Sequence, residues 1–487
     1  MTKLNFVDTT FRDGHHSLWA QGMRTGMMLP IAPQFDEIGF KAMEIFGGAM
    51  FKKCVHELRE DPWQRLKSMA ALVPNTPLIF MLAPSVTVFD ITPMPFMKIY
   101  IEQLAAHGLG GFHLMEAAND FENRIPELVT IIKELGLKIT LAMVYSISPR
   151  HSDDYYAEKA AQGAALDIDA LYIKDPAGLL TIDRTRTLVP AILRAAGGVP
   201  VEFHSHCTTG LAPAVYVEAM KLGIETVHTS IPPLANGSAQ PSVFNVASNA
   251  RHLGLEPAID LDGIEPISRH FTEIARQDNL PVGVPLQYDV AQYVHHVPGG
   301  VISHLRHQLG QLGAADRLDE VLDEVGLVRA ELGYPIMVTP FSQFVCTQAA
   351  LNVITGERYK QVPDEVIQLV LGHWGKEAAA DIDAEIKDRV LGTPRAEHFR
   401  NWSPPQTPVS EIRQRLGGPE LSDAEMILRY ISPLSEIQAM HDAGPAKTYR
   451  TGRAGMFKLI GELAERRGFS QISVSAGGNS VQLRKSA

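Results

Sequence analysis

Two histidines set two residues apart in an apolar stretch, His204 and His206 of V-E-F-H-S-H-C-T-T-G (201–210), offer the chain's clearest chemistry. In an extended strand, side chains at i and i+2 emerge on one face, so both imidazoles can grip one metal ion. Imidazole is the commonest metal-binding side chain near neutral pH, although a strand histidine can equally be an ordinary satisfied core or surface group. Other stretches add what such an ion needs. D-T-T-F-R-D-G-H-H-S (8–17) carries Arg12, Asp13, His15 and His16, and H-L-M-E-A-A-N-D (113–120) carries Glu116 and Asn119. L-Y-I-K-D-P-A-G (171–178) ends an apolar run on Lys174 and Asp175. Desolvation disfavours an ammonium at the end of a buried strand and lowers its pKa. Three readings of Lys174 stay open: a salt bridge to Asp175 or Asp13, a Schiff-base amine, or a carbamylated lysine acting as an anionic oxygen ligand. With the last, Asp13, Lys174, His204 and His206 suit a catalytic Zn²⁺, Mn²⁺ or Co²⁺ ion that keeps an open position.

The elements that must position these groups repeat. Eight short apolar runs occupy 4–8, 42–46, 77–82, 111–115, 138–145, 170–174, 200–206 and 226–231, separated by amphipathic stretches. M-K-I-Y-I-E-Q-L-A-A-H-G (97–108) and I-P-E-L-V-T-I-I-K-E-L-G (125–136) space their apolar residues as a helix does and close on glycine, a common helix C-terminus. Alternating strand and helix implies a parallel sheet with right-handed crossovers. Eight such units in about 250 residues match a (β/α)₈ TIM barrel. A doubly wound open sheet is the alternative, but no G-x-G-x-x-G follows the first strand. Barrel chemistry collects at the C-terminal ends of the strands, and titratable groups fall there strand after strand, which favours an enzyme.

Composition narrows the field. The 487 residues exceed one ordinary core, and 45% hydrophobic with 20% charged residues is the balance of a soluble globular protein. A formal charge of −11 disfavours nucleic acid and anionic membranes. Three scattered cysteines, Cys54, Cys207 and Cys346, point to a reducing compartment. No signal pattern and no membrane-length apolar run is visible, so a cytoplasmic location without a membrane span is expected.

Several motifs in fixed order resemble the biotin-dependent carboxyltransferases: the oxaloacetate decarboxylase alpha subunit, the transcarboxylase 5S subunit and the carboxyltransferase domain of pyruvate carboxylase. They are D-T-T-F-R-D-G-H-H-S, E-D-P-W-Q-R-L (60–66), L-Y-I-K-D-P-A-G, F-H-S-H-C-T-T-G and S-A-Q-P-S (238–242), then H-V-P-G-G-V-I-S-H-L, R-L-D-E-V-L-D-E-V, E-L-G-Y-P-I-M-V-T-P-F-S-Q-F-V and T-Q-A-A-L-N-V-I-T-G-E-R-Y (347–359). Together they cover roughly residues 5 to 375. The resemblance implies a TIM-barrel domain over 1–265 and a mostly helical conserved carboxylase domain over 266–400 that completes the active-site funnel. A helical extension over 401–487, without a biotinyl domain, would follow. It implies a divalent metal held by Asp13, N-carboxylated Lys174, His204 and His206, and transfer of CO₂ between N1-carboxybiotin and an enolisable acceptor. Arg12 would stabilise the developing oxyanion, and Ser238, where the family has threonine, would shuttle the proton. A homodimer is expected on the same ground.

Departures from the family pattern concern the acceptor. The family's D-A-H-Q-S is D-G-H-H-S here, placing His16 where a glutamine would touch the acceptor. Its L-L-R-G aligns with M-L-A-P-S, so Ala83 stands where an arginine would bind pyruvate or oxaloacetate oxygens. Its F-R-V-F-D becomes F-H-L-M-E, giving His113 and Glu116, and the methionine after K-D is Pro176. A bidentate arginine is not conservatively replaced at a carboxylate site, so the acceptor is expected to be a small molecule other than pyruvate. No Met-Lys dipeptide occurs from Leu421 onward, so biotin is expected on a separate biotin carboxyl carrier protein, charged by a separate biotin carboxylase subunit. That region reads as helices, A-E-M-I-L-R-Y-I and M-F-K-L-I-G-E-L-A-E-R-R, then a terminal hairpin with a Gly-Asn turn. The proline-rich 394–408 reads as a linker, and His295 and His296 as packing or a dimer contact. Competing functions are a carbon–carbon lyase of the oxaloacetate decarboxylase type, an acyl-transfer synthase, and a non-catalytic scaffold subunit.

Overall fold

The computed structural model describes residues 2–484 apart from 299–300, 303–304, 307–308, 311–313, 404–405, 450–470 and 477–478. Its first half is a closed barrel of eight parallel strands: β1 Lys3–Asp8, β2 Ala42–Gly47, β3 Leu78–Leu82, β4 Gly111–Leu114, β5 Lys138–Val144, β6 Ala170–Asp175, β7 Val201–Ser205 and β8 Thr226–Thr229. Each begins and ends within two residues of an apolar run, because strands covered on both faces read as continuous apolar stretches. β1 pairs with β8 (Asn5 opposite Thr226) and with β2 (Val7 opposite Ala42), so no strand edge is open and the open-sheet alternative is excluded. No helix among the described residues is long and apolar enough to cross a membrane.

The lumen departs from the branched aliphatic layers usual in such barrels. Glu44 of β2, His113 of β4, Tyr172 of β6, Glu202 and His204 of β7 and His228 of β8 are all buried. The His113 and His228 rings stack with centroids 5.1 Å apart although their strands are not neighbours. Only side chains pointing into the barrel can meet in this way, so the lumen is a polar column running toward the C-terminal rim.

The second half is helical. Helices Leu318–Glu331, Phe341–Thr355, Asp364–Val370 and Ala384–Leu391 bury Val321, Val325, Phe344, Ala349, Ile367 and Val390 in a core that also takes in Ala142, Val144 and Tyr172 of the barrel. Arg329 fixes the join: its Nη2 donates to Ser146 Oγ at 3.0 Å and to the Ile147 carbonyl at 2.8 Å, just past β5. The expected linker is partly ordered otherwise, since Pro394–Arg400 forms a helix with proline in its first turn. Proline's fixed φ and missing N–H cost nothing there.

Beyond it the chain returns to the barrel. Helices Val409–Leu416, Asp423–Ile431 and Leu434–Asp442 bury Ile412, Met426, Ile427, Ile431, Ile437 and Met440 in the same core as the barrel strands and helices. Tyr430 stacks on Phe96 at 4.3 Å, and Trp63 Nε1 donates to the Ala424 carbonyl. The terminal hairpin, Gln471–Ala476 with Asn479–Arg484, pairs Ala476 with Asn479. Asn479 is therefore a strand residue and not half of a Gly-Asn turn. The second expected helix, at 456–467, lies outside the described residues.

Asp8, at the end of β1, is fully buried, and its carboxyl accepts from Thr10 N–H and Oγ–H at 3.1 and 2.6 Å. Burial pushes its pKa up to about 8 against those bonds. The folded protein thus holds a proton that the unfolded chain releases near pH 4, so this contribution to stability falls as pH rises from about 4 to 8. Asp8→Asn is expected to flatten that part of the stability–pH curve, by up to about 1.4 kcal/mol per pH unit. Denaturant melts at pH 5 and pH 8 check this, and an unchanged slope would refute it.

Candidate active site

Three strand ends deliver the ligand-type residues to one point. Asp13, five residues past β1, lies in a short helical turn (Thr10–Gly14), while His204 and His206 come from the end of β7. Asp13 Oδ2 lies 3.2 Å from Nε2 of each histidine, and one ligand atom of each residue falls within 4.8 Å of the others. Lys174, the last but one residue of β6, brings Nζ to 3.7 Å from Asp13 Oδ2. It is buried and has no hydrogen-bond partner. Burial lowers its pKa against the pull of Asp13.

Asp175 is not its counter-ion. That carboxylate accepts from Leu179 N–H, Leu180 N–H and Ser205 Oγ–H, clamping the turn after β6 onto β7. Gly178 in the same turn has φ +64°, and a Cβ there would lie 2.5 Å from the His206 carbonyl. Only glycine lets the lysine loop approach the histidine strand so closely.

Both imidazoles turn Nε2 inward. His206 Nδ1 lies 2.6 Å from the Ser238 carbonyl, which can only accept, so Nδ1 carries a hydrogen and Nε2 is the nitrogen left to face the cluster. Gln240 Nε2 sits among the ligands, 3.2 Å from His204 Nε2, 2.9 Å from His206 Nε2 and 3.1 Å from Asp13 Oδ2. Its Oε1 accepts from Thr9 Oγ–H at 2.8 Å, which fixes the amide's direction. An amide has two hydrogens for these three acceptors, so Gln240 cannot satisfy all of them at once. Burial and Lys174 keep His204 neutral well below its ordinary range. Burial alone would raise Asp13, yet Arg12, His206 and Lys174 hold it ionised well below the carboxylate range. One carboxylate, two imidazoles and a buried lysine without a hydrogen bond fit a divalent metal, with carboxylation of Lys174 supplying a further oxygen.

Arg12 flanks the cluster. Its Nε and Nη2 donate to Glu44 Oε2 at 2.8 and 2.6 Å, and Nη2 also reaches Asp13 Oδ2 at 3.0 Å. Glu44 accepts in turn from His113 Nδ1 at 2.5 Å, and Arg12 and His113 hold it ionised despite burial.

The remaining expected residues divide. His16 is half-buried beside the cluster, and burial first, with Arg12, His206 and Lys174 adding, lowers its pKa to about 4 against Asp13. Ser238 is half-buried with Oγ donating to the Ser17 carbonyl at 2.9 Å, and Ala83 is half-buried just past β3. His113 lies in the lumen, below the rim, joined to Arg12 through Glu44. Glu116 Oε2 accepts from the Ala118 and Asp120 N–H groups and so closes the turn after β4. His295 accepts from Val297 N–H and packs inside the helical half. Cys207 is buried, and burial raises its thiol, so it stays protonated and is no nucleophile. Sequence reasoning passed over Gln240, Glu44, Glu202 and His228. Gln240 lies within the S-A-Q-P-S motif and Glu202 two residues before His204 on the same strand, whereas Glu44 and His228 carry no spacing signal.

Comparison with known proteins identifies the family. Residues 293–430 match a family described as "Conserved carboxylase domain". The chain is 38% identical over 390 residues to a pyruvate carboxylase subunit of Methanocaldococcus jannaschii, covering 80% of this chain and 68% of that one. It is 31% identical to the 2-oxoglutarate carboxylase large subunit of Hydrogenobacter thermophilus (89% and 67% covered) and 30% identical to the methylmalonyl-CoA carboxyltransferase 5S subunit of Propionibacterium freudenreichii subsp. shermanii (79% and 76%). The fold matches the carboxyl transferase domain of Rhizobium etli pyruvate carboxylase, with TM-score 0.81 at 24% identity over 91% of this chain and 78% of that one. The barrel, the helical half and these relatives together place the chain in the family of biotin-dependent carboxyltransferases.

Proposed function

We propose that this chain is the carboxyltransferase subunit of a multi-protein biotin-dependent carboxylase. It moves CO₂ between N1-carboxybiotin, borne by a carrier protein and charged by a biotin carboxylase subunit, and a small enolisable acceptor. The observation that carries the reading is the convergence of Asp13, His204 and His206 on a buried Lys174 that has no hydrogen-bond partner. A lysine with a depressed pKa holds a neutral amine that can add CO₂, losing one proton to give N–COO⁻. Asp13, carboxylated Lys174, His204 and His206 would hold a divalent ion, which supplies Lewis-acid stabilisation of enolate charge. Arg12, already oriented by Glu44, adds a guanidinium beside that charge. Ser238 Oγ is the proposed proton carrier, taking the acceptor's C–H proton and delivering it to biotin N1 as the N–CO₂ bond breaks. The enolate then forms its new C–C bond to the released CO₂.

The acceptor is proposed to be other than pyruvate or oxaloacetate, even though the relatives named above include a pyruvate carboxylase subunit. Ala83 offers no fork for a carboxylate. The three buried arginines among the described residues are also committed: Arg12 to Glu44 and Asp13, Arg65 to Glu60, and Arg329 to Ser146 and Ile147. The test is oxaloacetate decarboxylation by metal-analysed protein with free biotin, against Lys174→Ala. Bound metal with turnover no higher than the Lys174→Ala control is the expected result. It directs the search to other enolisable acids, thioesters or amides. Robust Lys174-dependent turnover would restore pyruvate as the acceptor, and protein without metal or turnover would overturn the enzyme reading.

A further inference from the structure

His204 meets the ligand cluster with one ring nitrogen and turns the other into the barrel. Its Nδ1 lies 3.2 Å from Nδ1 of His228, whose Nε2 lies 2.8 Å from Glu202 Oε2. All three side chains are buried. Glu202 in turn accepts from Lys41 Nζ at 2.6 Å, at the N-terminal end of the strands. A carboxylate only accepts, so His228 carries its hydrogen on Nε2, and the Nδ1 of that neutral ring is bare. A bare nitrogen also only accepts, so His204 must carry its hydrogen on Nδ1, leaving Nε2 as a lone pair. That Nε2 is the atom 3.2 Å from Asp13 Oδ2 and from Gln240 Nε2. With an ion between them, Asp13 Oδ2 and this Nε2 are ligands and not partners of each other, so the metal reading needs the tautomer that His228 imposes.

The His228 ring cannot turn to escape this role. It is stacked against Tyr172 (5.2 Å, 23°) and His113 (5.1 Å, 15°). The same stacking argues against a second ion among Glu44, His113 and His228, although their ligand atoms lie close together. Near-parallel rings aim their in-plane lone pairs along parallel lines, and Glu44 is already held by Arg12.

We propose that Glu202 and His228 are positioning residues for His204: a one-way chain of hydrogen bonds, entered from the floor of the barrel, fixes the tautomer that presents Nε2 to the metal. His206 obtains the same tautomer from the Ser238 carbonyl alone. The inference rests on the reading of the cluster as a metal site. Losing a hydrogen-bond partner of a metal-binding histidine typically weakens metal binding about 10–100-fold.

The test is Zn²⁺ or Co²⁺ affinity of the full chain, measured by competition with a chromophoric chelator, with the thermal midpoint at saturating metal reporting folding. His228→Leu is expected to bind about 10–100-fold more weakly. His228→Asn, whose amide oxygen can accept from His204 Nδ1–H, is expected to recover most of that loss, and Lys41→Met to leave affinity within about twofold, because the chain's direction depends on the carboxylate and not on the lysine. Glu202→Gln keeps the shape but lets His228 choose either tautomer. It is expected to weaken binding about tenfold, and it gives a second readout where leucine disturbs folding. Variants that bind metal as the wild type does would overturn the positioning chain alone. A wild-type chain that takes up no metal would overturn both the chain and the metal reading.

Discussion

Lys174→Ala is expected to abolish carboxyl transfer, with a loss of about 10³-fold or more, while leaving the fold at least as stable as before. The two halves of this expectation have separate causes. Nζ is buried at the end of β6 without a hydrogen-bond partner, and its charge is only loosely met by Asp13 at 3.7 Å. An unpartnered buried amine contributes nothing favourable to folding, so removing it relieves desolvation. For chemistry, alanine would delete the proposed anionic ligand and so weaken the proposed stabilisation of the enolate. A loss of about 4 kcal/mol of transition-state stabilisation corresponds to about 10³ in rate. Single-turnover transfer from carboxybiotin, run beside a denaturant melt, separates the two. A variant that keeps a tenth of the activity would remove Lys174 from the reaction, and one that fails to fold would make its role structural.

Glu44→Leu is expected to do the reverse, costing about 3–5 kcal/mol of stability in addition to activity. Glu44 holds Arg12 through two nitrogens and His113 through a third bond, all inside the lumen. Removing it leaves the Arg12 guanidinium buried, with Asp13 as its remaining ion-pair partner among the described residues. The double variant Glu44→Leu with Arg12→Met is expected to recover much of the loss, since deleting both members of a buried pair costs less than deleting one. Comparison of the three unfolding midpoints tests this. A Glu44→Leu midpoint within about 1 kcal/mol of wild type would show that the lumen tolerates a lone arginine.

The parts of this site that were legible in the sequence share one property: their partners are near in the chain or repeat with strand periodicity. His204 and His206 are two residues apart on one strand, Arg12 and Asp13 are adjacent, and the eight apolar runs recur with each βα unit. The rest is made by closure of the barrel. Glu44 meets His113 across 69 positions and Glu202 meets His228 across 26, through the lumen, and no spacing in the sequence announces either contact. Glu116 shows a role the spacing did not suggest. Its place just past β4 suggests the acceptor, yet its carboxylate is used by the backbone of its own turn. Pro394 reads as a breaker of structure and begins a helix, since the same ring that disrupts a helix interior suits its first turn.

The return of residues 409–442 to the barrel bears on how this protein is made and cut. Domains emerging from the ribosome tend to fold in order of synthesis, but here the outer wall over Trp63 and Phe96 lacks its last layer until Tyr430 has been translated. A nascent or truncated chain ending near residue 280 or 400 would carry the catalytic strands complete while an apolar flank stood open to water and to neighbouring chains. A fragment that keeps the barrel covered on both flanks must therefore run on to about residue 442, and a terminal deletion chosen from the motif map would bare apolar surface for reasons remote from the chemistry.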